Sequence, residues 1–258
     1  MPQLTEQKQF RRTQTLGFCY LCGNSLSNAD SIDRDHVPPR ACFNKADKNF
    51  PLILPTHSTC NHAEKDNDEK IGQLIALKFG KLPDPHSARL MVALMGSSVG
   101  ITNLDVKGAV WRWIRGFHAA LYEQPLLSSQ PITMRTPLPS SRQTPDGWIP
   151  EEILPQHLKF VEAIKTNRAA NNLDRIRCSN GKLLYECVWD QSSAGDWLCV
   201  FALNIYDWKD LGDIHHFPAR GCTGCYVLPS YSVPENASRA REVAIVVPNV
   251  DVLDPFGA

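Results

Sequence analysis

Two short cysteine and histidine pairs constrain this chain more than any other feature. Cys19-Tyr20-Leu21-Cys22 and His57-Ser58-Thr59-Cys60 each set two metal-ligand types with two residues between them. Zinc takes four ligands in a tetrahedron, mostly thiolate sulfur and imidazole nitrogen. Cys19, Cys22, His57 and Cys60 supply that set and predict a structural zinc site. A Cys-x-x-Cys alone would equally suit two buried thiols in a small turn, with His57 capping a helix; the second pair favours zinc.

The zinc pairs leave other residues unexplained. Asp35-His36 lies between them, and Asn61 and Glu64 follow the last cysteine. Asp and Asn oxygens are hard ligands suited to magnesium or manganese. A neutral histidine beside them can take a proton from water. If a helix starts near Ser58 or Thr59, His57 and Cys60 face the zinc, while Asn61 and Glu64 share a neighbouring face. Asp35-His36 is expected at the end of a short strand, because Pro38 and Pro39 cannot continue a central ladder. For both to serve one phosphate the chain must bend there. The competing reading of His36 is a satisfied surface histidine in a proline-rich turn.

Together these residues resemble the zinc-containing HNH, or His-Me finger, endonucleases in their Asp-His…Cys-Asn variant. The resemblance covers roughly residues 15 to 70. It implies a two-strand-plus-helix metal module in which His36 is the general base and Asp35 and Asn61 hold a divalent ion. Glu64 matches an acidic position of the family. His57 departs from the pattern, standing where cysteine is usual, though histidine is an acceptable zinc ligand. The family's middle asparagine falls on Asn49, with Asn44 as the alternative.

The 258 residues carry no net charge, which argues against a protein that coats nucleic acid indiscriminately. Basic residues lead slightly before residue 150 and acidic ones after it, so phosphate contacts are expected in the first part. Arg40 and Lys65 are candidates there. After Asp105 a long helix is expected over roughly Val106–Tyr122. Val110, Trp113, Ile114, Phe117, Ala120 and Leu121 form its apolar face. Trp111, Arg112, Arg115 and His118 fall off that face. Arg112 and Arg115 interleaved with tryptophan could line a nucleic-acid groove, or could simply be solvated.

Nine scattered cysteines fit a reducing compartment and metal binding, and no apolar run is long enough to span a bilayer. A cytoplasmic protein is expected. A break at Asp66–Glu69 is expected to separate the zinc helix from a second helix reaching Lys81. Ala88–Met95 reads as a further helix. Seven prolines from Pro125 to Pro155 mark a linker. Ile153–Ala170 reads as helix. Leu183–Trp189 and Trp197–Trp208 read as a strand hairpin, with another strand at Ala244–Val247. Gly221-Cys222-Thr223-Gly224-Cys225, with His215-His216 upstream, suits a tight turn better than a second zinc site.

The expectation is an α+β chain: a zinc-containing ββα-metal (HNH) module over 1–81, a helical section and proline-rich linker over 82–150, and a C-terminal α+β region with a small antiparallel sheet over 151–258. The function expected is metal-dependent endonuclease cleavage of nucleic acid, with DNA favoured. It would use structural Zn²⁺ and catalytic Mg²⁺ or Mn²⁺, and a regulatory protein partner could control it. The alternatives are a non-enzymatic zinc module and a degenerate HNH subunit that binds nucleic acid or protein.

Overall fold

The computed structural model of the chain describes residues 2–27, 31–43, 45–47, 52–78, 92–95, 98–101, 103–127, 133–135, 154–191, 196–205, 222–228 and 233–240. In chain order these form β1 (Gln3–Leu4), α1 (Gln7–Arg12), β2 (Ile32–Val37), β3 (Leu52–His57) and α2 (Ser58–Lys78). Then come β4 (Val92–Met95), β5 (Ser98–Ile101), α3 (Val106–Tyr122), β6 (Thr133–Arg135) and α4 (Leu154–Ala169). The last are β7 (Asp174–Cys178), β8 (Leu183–Gln191), β9 (Trp197–Ile205) and β10 (Cys222–Leu228).

α3 lies between the six-stranded sheet and the β2–β3 hairpin. Asp105 caps it, its carboxylate accepting the Gly108 N–H at 2.8 Å. It is buried on nearly every side, including Trp111, Arg112 and His118 off the expected apolar face. One side meets the aromatic face of a six-stranded sheet ordered β1-β7-β8-β9-β10-β6. There Phe117 stacks on Tyr185 at 4.8 Å between centroids, and Trp111 meets Tyr226 edge-on at 5.6 Å. A buried network closes its C-terminal end: Tyr122 donates to Asp174 at 2.6 Å, and the Trp189 indole donates to Tyr122 at 2.9 Å. The other sheet face, with Val188, Leu198, Val200, Ala202 and Cys225, packs on Phe160, Ala163 and Ile164 of α4.

The opposite side of α3 meets the antiparallel β2–β3 hairpin. Gly116 allows this approach, because a Cβ there would stand 2.7 Å from Val37 Cγ1 and 3.1 Å from Leu54 Cδ1. The main core cluster therefore runs from Phe10 through the hairpin and α3 to Ala237. Residues from all three expected sections share it.

Several local expectations are corrected. α2 is one helix through 66–69, because a charged run without proline does not stop a helix, and Lys70 pairs with Asp66 one turn back. Residues 92–95 and 98–101 form a β-hairpin, not part of a helix. The C-terminal sheet is larger than expected, since it recruits β1 and β6 from earlier in the chain. Cys222 and Cys225 lie on strand β10, not in a turn. Cys225 is buried toward α4. His215-His216, Asn44, Asn49, the Ala244–Val247 strand and most of the proline-rich segment lie outside the described residues.

Candidate metal centre and the strand beside it

The knuckle that carries the first ligand pair is a tight turn. The Cys19 N–H bonds Asn24 O at 2.9 Å, and the Gly23 N–H bonds Cys19 O at 2.8 Å. Gly23 has φ +78°, a conformation glycine adopts without strain, and a Cβ there would collide with Leu127 Cδ2 at 2.3 Å. The second pair straddles the junction of β3 and α2: His57 ends the strand and Cys60 lies in the first turn of the helix. Folding brings the pairs together, and the ligand atoms of Cys19, Cys22, His57 and Cys60 all lie within 4.8 Å of one another. Cys22 Sγ is 3.4 Å from His57 Nδ1, and Cys19 Sγ is 3.1 Å from Thr56 Oγ1. This Cys₃His cluster could hold a metal ion such as zinc.

The electrostatics of the cluster fit a cation. Burial raises the Cys19 thiol, but Thr56 and the backbone of His57, Cys22 and Leu21 outweigh it and bring the pKa down to about 6. Cys60 is pushed up to about 11 by burial and then by the charges of Cys19 and Cys22. A cation held among the four ligand atoms would offset that repulsion. Arg115 stands beside the cluster and donates from Nη2 to the Leu21 carbonyl within the knuckle. Burial lowers its pKa, while Tyr20 and the three cysteines act the other way. Sequence reasoning offered Arg115 as a candidate for a nucleic-acid groove; the structure sets it beside the Cys₃His cluster.

The remaining candidates divide between two faces of β2. Asp35 and His36 pair with Leu54 and Ile53 in a regular ladder, and the strand runs on to Val37 without the expected bend. Asp35 therefore points inward and His36 outward. Asp35 is buried and its Oδ2 accepts from Arg112 Nη2 at 2.6 Å and from the Tyr20 hydroxyl. Arg112 also donates to Asp68 Oδ2 at 2.6 Å and to Tyr20 Oη at 3.2 Å. At 4% exposure Arg112 is out of reach of any nucleic acid, which corrects the groove assignment.

Asn61 does not join Asp35. Its amide donates to Asp33 Oδ2 at 3.2 Å, and Ser58 Oγ donates to Asp33 Oδ1 at 2.8 Å. His62 Nε2 lies 3.6 Å from the same carboxylate. The Ser58 and Asn61 donors, with the His62 charge, hold the Asp33 carboxyl below its usual range. Sequence reasoning missed Asp33, though it shares Asp35's parity on the strand. A divalent ion on Asp35 and Asn61 does not fit these residues: one ligand is neutralised by a buried guanidinium, and the other is turned to a different carboxylate. Glu64 lies on α2, and its side chain is outside the described set. Lys65 is an exposed helix lysine, and Arg40 is exposed in a 3₁₀ turn after the strand.

His36 is half-buried on the outward face, which it shares with exposed Arg34. Burial, and then the charge of nearby Arg40, lower its pKa; Asp35 opposes them. The imidazole is therefore neutral at pH 7. Comparison of the chain with protein families, characterised proteins and solved structures gives no match. No described helix is long and apolar enough to cross a membrane.

Proposed function

We propose that this chain is a zinc-stapled phosphodiester hydrolase of the HNH type, an endonuclease acting on nucleic acid, with DNA favoured and His36 as general base. The observation that carries the reading is His36. It is a neutral imidazole on the outward face of a hairpin that a Cys₃His cluster clamps to the following helix, with Arg40 beside it. Zinc, when bound to Cys19, Cys22, His57 and Cys60, supplies folding free energy and takes no part in bond breaking. His36 takes a proton from water as the oxygen attacks phosphorus, and solvent reprotonates the leaving oxygen. Arg40 and Arg34 draw the phosphate to the imidazole and offset charge on its oxygens. Arg40 serves twice, since the charge that attracts phosphate also adds to burial in favouring the unprotonated form of His36.

A second reading, a binding module of the same build without hydrolysis, is favoured by the Asp35–Arg112 ion pair, which takes the expected metal ligand out of use. Cleavage assays separate the two. Zinc-loaded wild type and His36→Ala are compared on single-stranded, duplex and branched DNA and on RNA, with Mg²⁺, with Mn²⁺ and with neither. The hydrolase reading expects a loss of about 100- to 10,000-fold in rate with binding retained, because a general base acts mainly in the transition state. Equal rates would remove His36 from the mechanism. Tight binding without cleavage by wild type would establish the second reading.

A further inference from the structure

We infer that Arg112 permanently fills the cation place at Asp35, so that the module holds no divalent ion there. The inference rests on the HNH reading only for where such an ion would be expected. Its test reads metal binding and not cleavage.

Four groups carry it. The Arg112 guanidinium is planar, with donors in a fixed fork. It spends Nη2 on Asp35 at 2.6 Å, Nη1 on Asp68 at 2.6 Å and Nε on Tyr20 at 3.2 Å. Tyr20 is fully buried and donates back to the same Asp35 oxygen. The arrangement is a two-carboxylate, one-phenol cage around a single positive charge, which is the electrostatic environment a divalent cation would need. Here it is met by a cation that is part of the chain.

Displacing that cation is difficult. Arg112 belongs to α3, which packs on the sheet through Trp111, Phe117 and His118 and on the hairpin through Gly116. The guanidinium is shut off from water at 4% exposure and held by three donor contacts. An incoming ion would also lose its hydration shell while leaving the guanidinium buried beside it, so like charges would oppose each other at low dielectric. Asn61, which would have to complete the coordination, is already turned to Asp33.

The test is Mn²⁺ binding to zinc-loaded full-length protein, read from the free-ion electron paramagnetic resonance signal. Wild type and Asp35→Asn should bind Mn²⁺ equally weakly. Arg112→Met should gain one site, tighter than wild type by about tenfold or more, because Asp35 and Asp68 lose the guanidinium charge between them. The double variant Arg112→Met/Asp35→Asn should lose that gain. A wild-type Mn²⁺ site that Asp35→Asn abolishes would overturn the inference. A folded Arg112→Met with no gain would overturn it too, since the guanidinium would not be what keeps cations out. If Arg112→Met does not fold, the comparison of wild type with Asp35→Asn still decides. Loss of all cleavage activity would count against the hydrolase reading and leave these titrations unaffected.

Discussion

His118 offers a quantitative test of how deeply α3 is buried. It is 1% exposed, with Nδ1 3.0 Å from the Tyr226 hydroxyl and its ring edge-on to Tyr122, Trp189 and Tyr226. Burial pulls its pKa down to about 3. In the unfolded chain a histidine titrates near 6.5. Between these values the unfolded state binds a proton that the folded state refuses, so stability falls as pH falls. The contribution is fully present above about pH 6.5 and amounts to a loss of about 2 kcal/mol on going from pH 7.5 to 5. Urea unfolding of zinc-loaded wild type and His118→Gln at those two pH values measures it. The variant lacks the ring contacts and starts less stable. Its loss on acidification should nevertheless be smaller than that of wild type by about 2 kcal/mol. Protonation of the metal ligands affects both proteins alike and cancels in the comparison. Equal losses would mean that His118 is solvated or charged in the folded protein, and α3 would not be the enclosed helix described above.

Other outcomes follow from the same geometry. Cys60→Ser should abolish zinc binding and unfold the module, since structural zinc supplies on the order of 10 kcal/mol; metal analysis with circular dichroism checks it. The cleavage rate of wild type should rise with pH through a value below the ordinary 6.5 of histidine and then level off, because burial and Arg40 favour the neutral base. A midpoint above 6.5 would contradict the assignment. Gly116→Ala should destabilise by about 1 kcal/mol, because the clash with Val37 and Leu54 outweighs the gain in helix propensity.

The clustering of Cys19, Cys22, His57 and Cys60 was legible because ligand chemistry at fixed spacing depends little on distant packing. The bounds of α3 were legible for a similar reason: Asp105 caps it locally, and the apolar period runs to Tyr122. The environment of Arg112 was not. An arginine off the apolar arc reads as solvated unless its carboxylate partners are known, and Asp35 and Asp68 lie 77 and 44 positions away. Asp33 and Asp35 share strand parity, so only the setting of α2 against β2 decides which of them meets Asn61. The 92–101 hairpin was missed because Ala, Leu and Met favour helix as single residues, and pairing overrode them.

The placement of Arg112 and Arg115 bears on where the module ends. The Cys₃His cluster, the hairpin and the start of α2 all precede residue 81, and their closeness in the chain suggests a fragment that folds alone. The contacts argue otherwise. Arg112 supplies countercharge to buried Asp35, and Arg115 braces the Leu21 carbonyl between Cys19 and Cys22. Gly116 marks where α3 covers Val37 and Leu54. A fragment of residues 1–81 keeps all four ligands but leaves Asp35 without its guanidinium, and stripping one partner from a buried pair costs about 3–5 kcal/mol. It also exposes the apolar side of the hairpin. Such a fragment should take up zinc without reaching one ordered structure, giving a poorly dispersed amide spectrum by NMR. The full chain at the same zinc concentration should give a dispersed one. A well-dispersed spectrum from zinc-loaded 1–81 would show that the module stands without α3, and that the two arginines contribute charge to a fold already complete.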